Sequence, residues 1–147
     1  MAVSQFEKFC KEKDIAIEIL ETPESTRTAA DAAEVHGVPV AAIVKSILTK
    51  VDDTFVLFLV PGDKRLDFEK VKQEMGAAAI RLATPDEVKS VTGYSIGGVP
   101  PFGHTQPIMT KIEEGFPQGI VIPAAGSHQA CFKIEFSQLK EIISQVS

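Results

Sequence analysis

A lysine set inside an apolar run is the first residue in this chain whose type and place could serve chemistry. Lys45 interrupts Ala41-Ala42-Ile43-Val44-Lys45-Ser46-Ile47-Leu48, and on a strand it shares a face with Ile43 and Ile47. A lysine flanked this way either snorkels at a sheet edge or projects into a cleft. A buried ammonium is costly unless paired, so one held in a cleft usually serves a ligand. On the pattern alone both readings stay open, with snorkelling the commoner.

The second chemical feature is the segment 93–107, GYSIGGVPPFGHTQP, which has neither helical nor strand period. A structureless stretch of this length inside a compact domain is a lid, a binding loop or disordered. Tyr94, Ile96, Val99 and Phe102 offer apolar anchors that argue against disorder. Gly97 and Gly98 can take positive φ and present backbone N–H groups to a ligand, while Pro100 and Pro101 stiffen the loop around them. A packed surface loop without a site is the plain alternative. His104, near the loop's end, fits a general base, a metal ligand or a loop anchor.

His36, His104 and His128 are the chain's three histidines, and none pairs at metal spacing with another His, Cys or carboxylate, so neither a metal nor another cofactor is expected. Ser127 and His128 are neighbours in sequence, which does not make a nucleophile and base. The segment Pro123-Ala124-Ala125-Gly126-Ser127-His128 reads as a hairpin turn of small residues, with Gly126 allowing a close approach. The GxSxG elbow, the P-loop and the dinucleotide fingerprint are absent.

The elements that must position these residues follow from periodicity. Residues 3–13 space Val3, Phe6, Phe9 and Cys10 as on a helix, and Ile15, Ile17 and Ile19 then alternate as on a strand. Ser25, Thr26 and Thr28 are N-cap candidates for a helix over roughly 28–36, with Gly37 at its C-cap. Residues 43–50 and 54–60 predict two strands joined at Asp52 and Asp53. Asp67 caps a helix to about Met75, stopped by Gly76, and Ala79–Leu82 is a short strand. Thr84, Pro85, Asp86 and Glu87 spell a capping box with proline at the first helical position, opening a helix from 85 to about 91. Strands at 108–113, 119–123 and 130–136 precede a final helix capped by Ser137. This irregular mixture predicts an α+β domain rather than a regular βαβ winding.

Composition bounds the remaining classes. At 147 residues the chain has the size of one domain, and its 44% hydrophobic and 24% charged residues suit a globular core. Cys10 and Cys131 form no CxxC pair, so a disulfide framework is not expected. The charged N-terminus lacks a signal-peptide core, and no apolar run reaches membrane-spanning length, which predicts a cytoplasmic protein. A net charge of −5 argues against strong nonspecific nucleic-acid binding, leaving room only for a local basic patch. Lys64 and Arg65, with Lys70 and Lys72, form the densest such cluster, though a solvated helix face explains it equally.

Taken in order, these features resemble the YbaK-type editing domains, relatives of the insertion domain of bacterial prolyl-tRNA synthetases. Four motifs carry the resemblance between about Thr26 and Leu139. Thr26-Arg27-Thr28-Ala29-Ala30-Asp31-Ala32-Ala33, followed by Gly37-Val38-Pro39, resembles the family's alanine-rich helix. Ile43-Val44-Lys45-Ser46-Ile47 is similar to its lysine strand. Gly97-Gly98-Val99-Pro100-Pro101-Phe102-Gly103-His104 resembles its glycine-proline loop, and Ala125-Gly126 its late small-residue turn. The chain departs from the pattern at Pro100-Pro101, where many relatives have Ser-Pro, and at Ser127-His128-Gln129, where they have a basic residue and glycine.

The resemblance implies a mixed, barrel-like sheet flanked by helices, forming a single editing domain over residues 1–147. It implies an aminoacyl-tRNA deacylase acting in trans on a mischarged tRNA that carries alanine, serine or a similar small amino acid. Lys45 would position the substrate, and Thr26, Gly97, Gly98, Val99, Pro100, Phe102, Gly103, His104, Ala125 and Gly126 would form the pocket. The partner implied is the 3′ acceptor end of an aminoacyl-tRNA, with a synthetase as a second candidate and neither membrane nor DNA. Such an enzyme needs no serine or cysteine nucleophile, because an aminoacyl ester is already activated and needs a placed water and a stabilised oxyanion. The 2′-hydroxyl of the terminal adenosine would make part of the catalysis substrate-assisted. A noncatalytic module binding tRNA or a synthetase, and a small-molecule enzyme on the same scaffold, are the competing classes.

Overall fold

The computed structural model describes residues 2–23 and 28–146. In chain order, α1 (Ala2–Glu12) leads to β1 (Ile19–Glu21) and α2 (Ala29–His36), and a single 3₁₀ turn at Val40–Ala42 feeds β2 (Ile43–Val51) and β3 (Thr54–Pro61). Then come α3 (Phe68–Met75), β4 (Ile80–Leu82) and α4 (Pro85–Thr92). Beyond the glycine-proline loop lie β5 (Met109–Ile112), β6 (Ile120–Ser127), β7 (Ala130–Phe132), β8 (Ile134–Glu135) and α5 (Phe136–Val146). This is the expected α+β fold, built on a mixed eight-stranded sheet.

The β2–β3 hairpin is the centre of that sheet, paired from Val44 opposite Pro61 to Val51 opposite Thr54. Asp52 closes its turn at φ 52°, a conformation aspartate tolerates better than most side chains. The Asp52 carboxylate accepts from the amides of Ala78 and Ala79 at 3.0 and 2.9 Å, tying the turn to the approach to β4. β3 reads as continuously apolar because both its faces are covered. Leu57 and Leu59 enter the main core, whereas Val56, Phe58 and Val60 pack with Val51 and Val71 of α3 in a second cluster. Around the hairpin, β5 runs parallel to β3, β6 parallel to β2, and β7 and β1 extend the sheet beyond β6.

The predicted caps hold the helices in place. Thr28 accepts from the Asp31 amide at 3.1 Å, Asp67 from Lys70 at 3.1 Å, and Gly37 and Gly76 end their helices at φ 65° and 62°. Several predicted boundaries differ, among them the strand expected over 130–136, which breaks at Lys133 into β7 and β8. Residues 15–18 are not strand, since β1 pairs with β7 only over Ile19–Glu21; Ile15 and Ile17 instead pack against the main core from the connection after α1. The final helix begins at Phe136, whose amide bonds the Gly119 carbonyl at 2.8 Å, so Ser137 lies in its first turn and is not its cap. The hairpin expected over Pro123–His128 is present but its turn is tighter: β6 runs on through Ser127 with an irregular register against β7, Ala124 opposite Cys131 and Ser127 opposite Ala130, and the chain turns at His128 and Gln129.

The segment 93–107 lacks regular structure, as predicted, yet it is pinned at several points. Tyr94, Val99 and Phe102 are almost fully buried, but Ile96 is 61% exposed and anchors nothing. The Phe102 ring lies 5.4 Å from Phe6 and 5.9 Å from Phe132, so the loop shares the core of α1 and β7. Farther back, the Gly126 amide donates to the Gly98 carbonyl at 3.0 Å, and the Gly98 amide donates to Ser95 at 3.0 Å. Gly98 passes so near β6 that a Cβ there would stand 2.7 Å from Ser127 Cα. Only glycine allows that approach. No helix among the described residues is long and apolar enough to cross a membrane.

Two outcomes follow from this packing. Gly98→Ala must push loop and strand apart, and by overpacking should cost about 1–3 kcal/mol in denaturant unfolding. The second concerns the bidentate pair between Arg81 and Glu87, with contacts of 2.7 and 2.9 Å. That guanidinium, with the Thr84 amide, lowers the Glu87 carboxyl from 4.5 to about 2. The folded state therefore binds this proton less readily than the unfolded chain, so the pair stabilises fully above pH 4.5 and loses its effect as pH falls through about 2. The gap in Tm between wild type and Glu87→Gln should be widest near neutrality and close across that acid window.

Candidate functional site

The parallel contact between β2 and β6 joins only Ile43 to Ile122 and Val44 to Pro123. Beyond these pairs the two strands part, and β2 finds its next neighbour on that edge only where Thr49 meets β4. The gap is continuous with a cleft of about 460 Å³, a volume ordinary for a small-ligand site. Its walls come from Ile43–Ser46 of β2, Ile122–Ala124 of β6, Ala29, Ala32 and His36 of α2, and Gly97 and Val99 of the loop. Thr22, Thr28, His128, Ala130 and Cys131 complete the lining.

Lys45 is half-buried in this wall and does not simply snorkel to solvent. Its ammonium donates to the backbone carbonyl of Lys64, in the segment that follows β3. An ammonium has three donors, so this anchor fixes the head and leaves N–H groups for a ligand. Burial lowers the Lys45 pKa, the neighbouring Arg65 lowers it further, and Asp63 opposes them. Beside it, Ser46 Oγ is buried with no internal hydrogen-bond partner, the one such side-chain atom found among the described residues.

The predicted pocket residues divide into groups. Lys45, Gly97 and Val99 line the cleft together. Gly98, Ala125 and Gly126 stand behind them: Ala125 is fully buried, and Gly126 abuts the backbone of Ala2 at the start of α1. Pro100 is buried beside them. Phe102, Gly103 and His104 border a different cavity, of about 370 Å³, shared with Phe9, Lys13 and Gln145. His104 Nε2 donates to the Pro100 carbonyl at 2.8 Å, and burial pulls its pKa down. That geometry makes it an anchor across its own loop. Thr26 lies outside the described residues.

Sequence reasoning did not foresee a cluster at the cleft formed by Thr22, His36 and Cys131. His36 Nε2 lies 3.3 Å from Thr22 Oγ1 and 3.3 Å from Cys131 Sγ, and Thr22 Oγ1 lies 3.5 Å from that sulfur. Burial raises the thiol pKa, and burial and then Lys133 lower that of His36, so at neutral pH both are driven toward the uncharged form. A neutral thiol is a poor nucleophile. The three residues come from the position just after β1, the last turn of α2 and β7, and no local motif could have joined them. In the basic cluster, Lys70 and Lys72 pair with Glu74 and Glu69 at 3.7 and 3.6 Å, while Lys64 and Arg65 occupy the segment next to Lys45.

Comparison with known proteins shows the family. The family model for the aminoacyl-tRNA editing domain matches residues 23–142. A solved structure described as a candidate trans-editing enzyme for prolyl tRNA synthetase superposes with a TM-score of 0.89 at 35% identity, covering 97% of this chain and 92% of that one. YwhH of Bacillus subtilis (strain 168) is 31% identical over 94% of this chain and 86% of its own length. The proline–tRNA ligase of Thermosipho africanus is 39% identical over 63% of this chain, a region that makes up 16% of that ligase. On the strength of the matched region and these likenesses, the chain belongs to the aminoacyl-tRNA editing domain family.

Proposed function

We propose that this protein hydrolyses the ester of mischarged aminoacyl-tRNAs bearing a small amino acid, acting in trans. The observation that carries the reading is Lys45, a cation anchored in the wall of a small-ligand cleft within an editing domain. The 3′ acceptor end of the tRNA enters this cleft, and Lys64 and Arg65, which border a separate cavity in the segment that anchors Lys45, offer positive charge to its phosphates. Water attacks the acyl carbon, the acyl–oxygen bond breaks, and the products are the free amino acid and the tRNA 3′-hydroxyl. Lys45 positions the acyl-adenosine and opposes the negative charge that develops on the carbonyl oxygen. Backbone at Gly97 and Val99 closes the site above the ester. The apolar wall of Ala29, Ala32, Ile43 and Val99 limits the acyl group to a small side chain.

Synthetase pockets reject a smaller amino acid by only about 1–3 kcal/mol per methylene, so a second, size-selecting site has work to do. The reading is tested by single-turnover deacylation of tRNAs charged with correct and incorrect small amino acids. Wild type should remove at least one mischarged species and spare cognate pairs, and Lys45→Ala, shown folded by circular dichroism, should slow this by roughly 100-fold or more. Ester loss at the spontaneous rate for every pair would instead identify a noncatalytic tRNA- or synthetase-binding module.

A further inference from the structure

We infer that Thr22, His36 and Cys131 form the specificity-determining end of the acyl subsite, and that they select a side-chain hydroxyl, serine over alanine; this rests on the editing reading above. The three polar heads meet at 3.3, 3.3 and 3.5 Å on a cleft whose other walls are largely alkyl. Thr22 and Cys131 are only 7% and 8% exposed, and Thr22 is held by its amide, which donates to the Gln129 carbonyl at 2.7 Å.

Proton counting shows why this triangle suits a hydroxyl. With His36 neutral, Nε2 either carries a proton or accepts one, never both. If Nε2 accepts, the Thr22 hydroxyl and Cys131 thiol supply two protons for three contacts, and an oxygen or sulfur lone pair remains open. If Nε2 donates, it cannot also accept, so one hydroxyl or thiol proton has no taker within the cluster. In neither tautomer can all three contacts be two-centre hydrogen bonds at once. A ligand group that both donates and accepts completes the cluster in either state. An alkyl group completes neither.

The energetic consequence is asymmetric. An apolar pocket discriminates weakly against a side chain that merely adds a hydroxyl. A site whose buried polar groups await a hydroxyl rejects the analogue that lacks one far more strongly, because those groups are then left unpaired. The cluster thus adds a chemical criterion to the size limit set by Ala29, Ala32 and Ile43.

The test is the ratio of single-turnover rate constants for seryl and alanyl esters of one tRNA, which cancels general damage to the fold. Wild type should favour the seryl ester by about tenfold or more. Thr22→Val, which keeps shape but removes the hydroxyl, should collapse that ratio toward one, as should Cys131→Ala, whereas Cys131→Ser should retain it. A wild-type ratio of one or below, or a ratio unchanged in both Thr22→Val and Cys131→Ala, would overturn the inference while leaving the hydrolase standing. Failure of wild type to cleave either ester would remove the hydrolase reading, and this inference with it.

Discussion

The parallel contact of β2 with β6 lasts for two residue pairs and then stops at Pro123. Proline has no amide hydrogen to give to a continuing ladder. From that point β6 turns its hydrogen bonds toward β7, and the middle of β2 keeps β3 as its partner on one side only. Unpaired strand edges inside a fold are costly unless something covers them. Here the edge is the wall of a cleft, so the same break in pairing that would weaken a sheet creates a place for a ligand. Lys45 and Ser46, the first residues past the break, carry an anchored ammonium and a buried orphan hydroxyl. The other parts of the molecule hold the break open: α2 packs across one end through Ala33 against Ile43 and Ile122, and the loop closes another side.

That loop is rigid for a reason visible in its contacts. Val99 and Phe102 are buried in the core that also holds Phe6 and Phe132, and the Gly98 carbonyl is bonded to Gly126 on β6. Two small-residue stretches, Gly97-Gly98 and Ala125-Gly126, therefore serve one purpose. They let two backbones touch, so the pocket wall is fixed before a ligand arrives. Preorganised groups stabilise developing charge without a reorganisation cost during the reaction.

Much of this was legible in the residues. Caps at Thr28, Asp67 and Thr84 and the two apolar runs either side of Asp52 and Asp53 announced helices and hairpin, because those signals are local. Lys45 stood out because a charge in an apolar run is itself an anomaly. Illegible were the consequences of contacts distant in the chain. Pro123–His128 looked like the turn itself since small residues and glycine usually mark one, whereas the turn falls at His128 and Gln129 and the small residues before it let α1 and the loop approach β6. His104 sits in a motif with Gly97, yet the imidazole lines another cavity. The Thr22–His36–Cys131 cluster spans 109 residues of sequence and depends on β7 bringing Cys131 back beside β1.

The central claim is that the cleft at the β2–β6 break receives the acylated end of a tRNA. The most direct measurement is an amide-resolved NMR titration with a hydrolysis-resistant, amide-linked aminoacyl-adenosine. Saturable shifts at Ser46, Gly97, Val99 and Ala124, weakened in Lys45→Ala, are what the account predicts. Shifts confined to Gly103, His104 and Thr105, at the second cavity, would contradict it.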